Sequence, residues 1–420
     1  MAKTLDVYLH RDLVGQLKQD DGGQMSFAYA ESWLANPQAL PLSHSLPLRR
    51  ERYRGKQCRG YFAGVLPEES NREIIARNLG ISARNDYAML ERIGGECAGA
   101  VTFVPAGEPL PERPQKDDQY RMLSSAELAR LLHELPLRPL LAGEAGIRLS
   151  LAGAQDKIAV RVEGDTISLP LGSAPSTHIL KPAVERFAGL VHNEAFCMQL
   201  AAAVGLPTAK TEIRTVEDVE FLLVERYDRT VAHDAEGAAW LERVHQEDFC
   251  QALGIVSEMK YQKEGGPSLK QCFALLREVS SAPVIDLARL LDAVLFNYLI
   301  GNNDAHGKNF SLLYRPTQAG QFEVRLAPFY DVVSTNFYPE LTREMAMCIG
   351  SAYHCERVTK ADFERLAADA GLSKPLVNRR IPELAEAILG KLAGLSAYST
   401  TSQDLAEQIR TRCQHVRELW

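Results

Sequence analysis

The sequence lacks the features that mark membrane proteins, secreted disulfide-rich scaffolds and zinc-binding domains. Its apolar runs are interrupted and fall short of the roughly 20 residues that a membrane span needs. The N-terminal stretch "MAKTLDVYLH" has no apolar signal-peptide core. The eight cysteines are scattered without a CxxC pair, which argues against a disulfide framework or a zinc site. We therefore expect a soluble cytoplasmic protein that makes no membrane contact.

The chain also lacks a basic excess. Its net charge is −7, so the average surface repels nucleic acid, and any contact with DNA would have to come from a local basic patch. The best candidate for such a patch is "KPLVNRRIPE", which carries Lys374, Arg379 and Arg380. With 420 residues, of which 46% are hydrophobic, the chain can bury a large core and is expected to form two or three subdomains.

The residue patterns predict an α+β fold with two lobes and an additional N-terminal module. Short alternating strands fill residues 4–30, and the stretch 105–119 has four prolines, mixed charge and no periodicity, as is typical of a linker. Strand patterns dominate the next segment, and helical patterns dominate from about residue 246 onward. The predicted ranges are 1–104 for the N-terminal β-rich module, 105–124 for the linker, 125–245 for a β-rich lobe and 246–420 for a mostly helical lobe.

The helical lobe contains a loop with an unusual density of polar residues, in "FNYLIGNNDAHGKNFSLLY". Apolar residues spaced four and three apart predict an amphipathic helix over 284–300, which Gly301 can end. After the loop, two strand-like stretches with a turn between them predict a hairpin. The antiparallel return of this hairpin would bring Asp331 back beside the loop that carries Asp304 and Asn309.

These three residues have a chemical use in phosphoryl transfer. That reaction needs a carboxylate near the attacking hydroxyl and oxygen ligands for the Mg²⁺ that accompanies the nucleotide phosphates. Protein kinases place a base Asp and a metal-binding Asn five positions apart, with a second metal-binding Asp after the next hairpin. Asp304, Asn309 and Asp331 reproduce that order. The alternative is a turn rich in Asn and Asp with no catalytic role.

A kinase also needs groups that face the phosphates and the adenine, and candidates lie in the β-rich lobe. The small residues of "SLAGAQDK" (150–157) would let backbone N–H groups approach phosphate oxygens. Lys181 ends the strand "HILK" and can supply a point charge. The segment Glu225 to Tyr227 follows a buried strand, where a connector could bind the adenine edge. Each piece alone fits an ordinary strand end equally well, but together they stand in kinase order.

At these residues the chain resembles the HipA family, the serine/threonine kinase toxins of bacterial HipBA toxin–antitoxin modules. The stretches that carry the resemblance run in family order over roughly the first four-fifths of the chain. They are "PLSHSLPL", "SLAGAQDK", "THILKPA", "VERYDR", "QEDFCQALG", "KYQKEGGPS", "NNDAHGKNFS" and "LAPFYDVVS". One departure is visible: "DAHGK" stands where better-known members read D-G-H-A-K, a swap that leaves every polar residue in place.

The resemblance implies a kinase-like fold that uses ATP and Mg²⁺, with residues 125–245 as the nucleotide-binding lobe. It implies Asp304 as the base, Asn309 and Asp331 as metal ligands, and Ser150 as a site of autophosphorylation. The implied nucleotide-binding residues are Ala152, Gly153, Ala154, Gln155, Asp156, Lys157, Lys181, Glu225, Arg226, Tyr227, His306, Gly307, Lys308, Asn309, Tyr330 and Asp331.

The resemblance also implies partners. These are a HipB-like helix-turn-helix antitoxin, operator DNA reached through the antitoxin complex, where the chain would act as co-repressor, and a protein substrate. In the best-known case that substrate is an aminoacyl-tRNA synthetase, whose loss stalls translation, arrests growth and causes dormancy. Two rival hypotheses remain open: a small-molecule kinase of the aminoglycoside or choline kinase type, and a pseudokinase that only strengthens a DNA-binding antitoxin. A neighbouring helix-turn-helix gene and a test of ATP consumption would distinguish them.

Overall fold

The computed structural model describes residues 3–110, 119–233, 239–317, 322–395 and 399–419. The chain divides into two compact units, each assembled from separated segments. Unit one comprises Met1–Pro182, Arg214–Glu258 and Leu313–Glu323. Unit two comprises Ala183–Ile213, Met259–Leu312 and Val324–Trp420. The mixture of sheets and helices confirms the predicted α+β class.

The N-terminal part of unit one is a five-stranded sheet. Its strands are β1 (Lys3–Leu9), β2 (Asp12–Gln19), β3 (Met25–Tyr29), β4 (Tyr53–Arg54) and β5 (Val101–Pro105), in the order β4-β3-β2-β1-β5. All neighbours pair antiparallel, and Val7 faces Gly15 on one side and Phe103 on the other. The rings of Phe27 and Phe62 pack 5.3 Å apart over this sheet. Both rings are fully buried, so they anchor the core of the module.

A six-stranded sheet carries the predicted β-rich lobe. Its strands are β6 (Tyr120–Met122), β7 (Ile158–Glu163), β8 (Thr166–Pro170), β9 (His178–Pro182), β10 (Thr211–Val216) and β11 (Val219–Glu225), in the order β10-β11-β9-β7-β8-β6. The turn at Gly164 joins β7 to β8, which confirms the hairpin predicted from the sequence. The central strands are apolar and buried because they lie in the middle of the sheet.

Smaller sheets complete the strand set. The remaining strands are β12 (Arg229–His233), β13 (Ala239–Arg243), β14 (His245–Asp248), β15 (Ser311–Pro316), β16 (Phe322–Leu326), β17 (Glu344–Ile349) and β18 (Ala352–His354). They form the sheets β12-β13, β14-β15-β16 and β17-β18. The hairpin predicted after residue 309 is confirmed by β15 and β16. The pair β17-β18 was missed, because "EMAMCIGSAYH" has few β-branched residues to indicate a strand.

Twelve helices are described. They are α1 (Glu31–Leu34), α2 (Gly55–Gly64), α3 (Glu69–Leu79), α4 (Asp86–Ile93), α5 (Ser125–Glu134), α6 (Leu190–Ala203), α7 (Phe249–Ala252), α8 (Leu269–Val279), α9 (Pro283–Ile300), α10 (Lys360–Ala370), α11 (Lys374–Leu395) and α12 (Thr400–Leu419). Helices α7 through α12 all lie beyond residue 246, where helical patterns dominate the sequence. None of the described helices is both long and apolar enough to cross a membrane.

Helix α9 positions the polar loop that the sequence singled out. Pro283 occupies the first turn of α9, where a missing N–H leaves no helical hydrogen bond unmade. Toward the C-terminal end of the helix, nearly every residue is buried. Gly301 ends the helix in the left-handed conformation (φ 76°), and its N–H and that of Asn302 bond to the last carbonyls of the helix. The helix therefore delivers the loop from a rigid base.

A cluster of buried charges ties the N-terminal module to the segment after β11 within unit one. Glu96 is fully buried and accepts hydrogen bonds from Arg226 (3.1 Å) and Arg229 (2.7 Å), and Arg243 forms a further ion pair with it. Asp228 pairs with Arg226 and Arg229, at 2.8 Å each. Burial alone would raise the pKa of Glu96, and the guanidinium groups outweigh it and hold that pKa below its ordinary value.

A second buried carboxylate, Glu247 on β14, holds the "PLSHSLPL" segment. It accepts hydrogen bonds from the Ser43 hydroxyl, from the His44 N–H (2.9 Å) and from the Tyr314 hydroxyl. The carbonyl of Gln251 accepts a further bond from Ser45, at 2.7 Å. Burial raises the pKa of Glu247 to about 7 despite these donors. Segments far apart in sequence thus meet at one carboxyl group.

The domain ranges predicted from the sequence stay a prediction. Residues 111–118 of the predicted linker lie outside the residues that the structure describes. The described helix α5 begins immediately after this linker, where Ser124 and Glu127 form a reciprocal cap.

Candidate active site

The loop after α9 presents Asp304 to solvent in a fixed position. Asp304 is exposed, and its Oδ1 accepts a hydrogen bond from the Tyr261 hydroxyl at 2.9 Å. Its N–H donates to Oδ1 of Asn302 at 3.1 Å. Because the backbone and the side chain are both held, the carboxylate is oriented while one of its oxygens is left for a further interaction.

The following turn orders Asn309. His306 precedes a 3₁₀ turn, Gly307–Asn309, and its N–H donates both to the Asp304 carbonyl (2.8 Å) and to Oδ1 of Asn309 (3.1 Å). The His306 side chain is buried, and its ring meets that of Tyr261 edge-on with centroids 5.6 Å apart. Tyr261 therefore contacts the loop at two points, the carboxylate of Asp304 and the ring of His306.

The hairpin β15-β16 returns the chain to this loop. The Tyr330 hydroxyl donates to the Lys308 carbonyl at 2.7 Å and lies 2.6 Å from Oγ of Ser311. Asp331 follows in the left-handed backbone conformation (φ 53°), which few residues other than glycine adopt. Such a conformation is maintained only where the surroundings fix it, and it occurs often at functional sites. The segment that carries Asp331 is thus brought to the segment that carries Asn309.

The chain beyond Asp331 is pinned to helix α6 within unit two. The Ser334 N–H donates to Oδ1 of Asn193 at 2.9 Å, and Nδ2 of Asn193 donates to the Ser334 carbonyl at 3.0 Å. Both residues are buried. Asp331 is therefore flanked by two anchored residues, Tyr330 on one side and Ser334 on the other.

The donor set of this loop suits Mg²⁺. Asn309 and Asp331 offer an amide and a carboxylate oxygen, the hard ligands that Mg²⁺ prefers, and one or two such ligands suffice when phosphate oxygens and water complete the octahedron. Among the described residues, no group of three or more His, Cys, Asp or Glu side chains is arranged to hold a metal ion by itself. Asn309 and Asp331 could therefore supply only part of a Mg²⁺ coordination shell.

In unit one, the predicted phosphate loop 150–157 is held by the N-terminal module. Ser150 is fully buried; its hydroxyl donates to the Val65 carbonyl and its N–H to the Glu96 carbonyl, at 2.9 Å each. The Glu68 N–H donates to the Gly153 carbonyl at 3.4 Å, and Nδ2 of Asn71 donates to the Ala154 carbonyl at 2.9 Å. Four hydrogen bonds from residues far away in sequence fix the course of this loop.

Inside the loop, the Lys157 side chain links the end of the loop to its beginning. Its Nζ donates to the Ala152 carbonyl at 2.7 Å. Gly153 has φ 108°, a conformation that favours glycine, and a Cβ there would lie 2.5 Å from that Nζ, so a side chain would displace the lysine. Burial raises the pKa of Asp156, against the opposing effects of an Asn71 hydrogen bond and the Lys157 charge. Gln155, with Ala152, Gly153, Ala154 and Asp156, is partly exposed.

The remaining predicted residues of unit one lie on and after strands β9 and β11. Lys181 is buried on β9 opposite Leu222. Glu225 ends β11 and is exposed. The Arg226 N–H donates to the Thr177 carbonyl at 2.9 Å, and its side chain belongs to the buried charge cluster. The amide and the side chain of Arg226 are therefore both held by the protein itself. Tyr227 beside it is partly exposed.

The predicted residues thus fall into one set in each unit. Unit two brings together the loop and the hairpin end, with Asp304, His306, Gly307, Lys308, Asn309, Tyr330 and Asp331. Unit one holds Ser150, the loop from Ala152 to Lys157, Lys181 and the segment from Glu225 to Tyr227. The roles assigned to these residues stay predictions.

Sequence reasoning missed three positioning residues. Tyr261 stands in "KYQKEGGPS", a stretch that carried the family resemblance but received no role. Asn71 and Asn193 contact loops that lie 83 and 141 residues further along the chain. A conspicuous motif could have drawn attention to Tyr261, whereas no local pattern marks an asparagine whose partner is so distant.

Comparisons with known proteins agree on one family. The HipA N-terminal domain matches residues 5–104, and the HipA-like C-terminal domain matches residues 149–392. A Sinorhizobium fredii protein, Y4mE, is 44% identical over 99% of this chain and 99% of its own. The serine/threonine-protein kinase toxin HipA of Shewanella oneidensis is 30% identical over 92% of this chain and 90% of its own.

A solved structure extends the likeness to the whole fold. It is that of the Shewanella oneidensis toxin–antitoxin complex of HipA, HipB and operator DNA, in which one chain matches with a TM-score of 0.83 and 27% identity, covering 99% of this chain and 100% of that chain. Both family domains, the similar proteins and the fold indicate the same family. This chain belongs to the HipA family of toxin kinases.

Proposed function

We propose that this chain is an ATP- and Mg²⁺-dependent serine/threonine protein kinase and the toxin of a type II toxin–antitoxin pair. The observation that carries the proposal is the arrangement in unit two. An exposed Asp304 is oriented by Tyr261, Asn309 follows five positions later, and Asp331 stands in a left-handed conformation at the end of the returning hairpin.

The chemistry assigned to Asp304 is that of a general base. Its carboxylate accepts the proton of the acceptor hydroxyl while the hydroxyl oxygen bonds to the γ-phosphorus and the bond to the ADP oxygen breaks. Asn309 and Asp331 would hold Mg²⁺, which when bound neutralises the charge on the phosphates. Lys157, Lys181 and the N–H groups of loop 150–157 would bind the phosphates, and the segment from Glu225 to Tyr227 would bind the adenine.

The contact from Tyr261 supports a specific prediction about turnover. Tyr261→Phe removes one donor to a carboxylate and is expected to lower kcat about 10-fold, because a hydrogen bond to a charged group contributes roughly 1.5–3 kcal/mol. The KM for ATP should stay unchanged, since the tyrosine contacts the base and not the nucleotide loop. Steady-state kinetics of the full chain measure both values.

A matched control for this substitution is Tyr120→Phe. Tyr120 donates to the Pro175 carbonyl in unit one, so its replacement also removes one tyrosine hydroxyl but leaves Asp304 untouched. A kcat for Tyr261→Phe equal to that of the control would refute a positioning role.

Ser150 is proposed as an off switch through autophosphorylation. Its hydroxyl is buried against the Val65 carbonyl, and a phosphate with about −1.5 to −2 charges cannot occupy that position. The loop would therefore have to leave the N-terminal module. Two cations near Ser150 are engaged with backbone oxygens: Arg148 with the carbonyls of Glu91 and Phe103, and Lys157 with that of Ala152.

Titration of ATP into two forms tests this switch. We expect the chain phosphorylated at Ser150 to bind ATP at least about 10-fold more weakly than Ser150→Ala, because the displaced loop no longer offers its N–H groups and the new charge repels the nucleotide. Isothermal calorimetry of both forms provides the comparison. Equal dissociation constants would eliminate the switch.

The proposed partners are a helix-turn-helix antitoxin of the HipB type and operator DNA. The chain would reach the DNA through the antitoxin and act there as co-repressor. This proposal is supported by the composition of the solved complex that the chain resembles. The basic patch suggested by the sequence is largely neutralised, because Lys374 pairs with Glu364, Arg379 with Glu383, and Arg380 with Asp292 and Glu383. Contact with DNA would therefore depend on the antitoxin. Because an antitoxin bound to operator DNA lies in the bacterial cytoplasm, the proposed activity is placed there as well.

The proposed target is a protein of the translation apparatus, such as an aminoacyl-tRNA synthetase, whose phosphorylation would arrest growth. Phosphoproteomics of cells that express this chain, compared with cells that express Asp304→Ala, tests this directly. A phosphoserine or phosphothreonine site on a translation protein that appears only with the unmodified chain is the expected result. Identical phosphoproteomes would contradict the proposed function.

A further inference from the structure

The loop 260–268, "KYQKEGGPS", is fastened to strand β17 within unit two. Oε1 of Gln262 accepts the Cys348 N–H at 3.0 Å, and Nζ of Lys263 lies 2.6 Å from Glu344. A Cβ on Gly266 would lie 2.3 Å from the Met259 carbonyl, so only glycine allows this close turn. The loop is therefore a fixed wall and not a free surface segment.

A half-open cavity lies beside this wall and β17, and Asp304 is part of its lining. The cavity has a volume of about 410 Å³, within the range of roughly 300–1,000 Å³ found for ligand sites. Tyr261 and Asp304 both line it, so the base and the residue that orients it form one side. Every residue that lines the cavity belongs to unit two.

The lining has an apolar floor and an acidic rim. Leu341, Met345 and Ala346 supply the floor, and Glu264 and Glu344 supply the rim. Lys263, the one lysine in the lining, is paired with Glu344. A nucleotide would bring several negative charges next to Glu264 and Glu344, and Lys263 pairs with only one of these, so the nucleotide is a poor occupant of this cavity. An apolar side chain next to a cationic one fits both surfaces.

We propose that this cavity binds the acceptor segment of the protein substrate, with an apolar side chain on the floor and a Lys or Arg beside the acceptor Ser or Thr facing Glu264. This inference rests on the proposed kinase function and adds the class of acceptor to it. A polypeptide is favoured over a polar sugar because a sugar would leave the floor of Leu341, Met345 and Ala346 without an apolar partner.

The test uses the full chain with Mg²⁺-ATP and a degenerate peptide library with a fixed central Ser or Thr. Thr342 is exposed at the cavity, and Thr342→Trp places a large ring there. We expect this variant to lower peptide phosphorylation about 10-fold through the KM for peptide, while ATP hydrolysis without peptide changes less than about twofold. Thr342→Val is the control, since it also removes the hydroxyl that accepts the Glu344 N–H but adds no bulk.

Charge reversal tests the acidic rim. Glu264→Arg is expected to reduce the preference for peptides with Lys or Arg beside the acceptor by about 10-fold. The control is Glu356→Arg, since Glu356 is also exposed and does not line the cavity.

Three results would overturn the assignment of the acceptor site. They are unchanged peptide phosphorylation in Thr342→Trp, ATP hydrolysis by the unmodified chain without phosphorylation of any peptide, and phosphorylation of kanamycin in place of peptides. Failure of the proposed function itself has a different signature, because the unmodified chain would then neither hydrolyse ATP nor transfer its phosphate to any acceptor.

Discussion

Asp304→Ala is expected to lower the rate of ATP-dependent phosphorylation about 10²–10⁴-fold, the usual contribution of a general base. The substitution removes the carboxylate that would accept the proton of the attacking hydroxyl. Asp304 is exposed, so its loss costs little folding free energy, and the melting temperature should stay close to that of the unmodified chain. Transfer of ³²P from labelled ATP, measured beside thermal unfolding, separates the two quantities.

The matched control for this experiment is Asp292→Ala. Asp292 lies on helix α9, upstream of the loop, and pairs with Arg380, so its replacement also removes an aspartate from unit two. Activity should persist in the control. It should fall steeply in Asp304→Ala and, through loss of a metal ligand, in Asp331→Ala. Phosphate transfer at the unmodified rate in Asp304→Ala or in Asp331→Ala would refute the assignment of these residues.

The second large effect concerns stability. Glu96→Ala leaves the buried guanidinium groups of Arg226, Arg229 and Arg243 without their shared carboxylate, and Asp228 can pair with only part of them. Removal of one member of a buried ion cluster typically costs about 3–5 kcal/mol, because charges remain buried without compensation. We expect a decrease of that size in the free energy of unfolding, measured by urea denaturation at pH 7.

An exposed ion pair gives the contrast. Glu163 pairs with Arg161 at the tip of the β7-β8 hairpin, where its side chain is 62% exposed, and Glu163→Ala is expected to cost less than about 1 kcal/mol. Equal losses in the two variants would show that the cluster at Glu96 contributes no more than a surface pair.

The same cluster gives a pH dependence with a defined sign. The folded-state pKa of Glu96 and that of Asp228 are lowered, so their contribution to stability is fully present above the unfolded-state values near pH 4–4.5 and is lost as pH falls toward the folded-state values. The unmodified chain should therefore lose more unfolding free energy between pH 6 and pH 3.5 than Glu96→Ala does. Parallel losses in both chains would contradict this.

Local patterns predicted much of the architecture. The spacing of apolar residues over α9, the stop at Gly301 and the alternation on each side of Gly164 are short-range signals, and the structure confirms all three. The sequence order of Asp304, Asn309 and Asp331 was equally visible. The reason is that caps, turns and periodicity depend on residues within a few positions of one another.

What the sequence did not indicate depends on distant partners. Residues Glu225 to Tyr227 were assigned to a connector, but no local pattern indicated that the Arg226 side chain bonds to Glu96, 130 residues earlier. Ser150 was assigned only as a site of autophosphorylation, and no local pattern indicated that its hydroxyl bonds to Val65, 85 residues earlier. The cavity beside Asp304 depends on the packing of loop 260–268 against β17, and the amino-acid sequence gives no local signal for that packing.

The buried carboxyl group of Glu247 has a consequence for the order of events during synthesis. Ser43 and His44 are made early, but Glu247 is added about 200 residues later, and Tyr314 later still. The N-terminal module therefore emerges from the ribosome with this segment unfinished, and its final packing must wait for more than 300 residues of chain. Contacts so distant in sequence slow folding and expose intermediates. A nascent chain cut short before residue 314 would thus lack one donor to Glu247, so synthesis of the chain through Tyr314 is a condition for closing this part of the core.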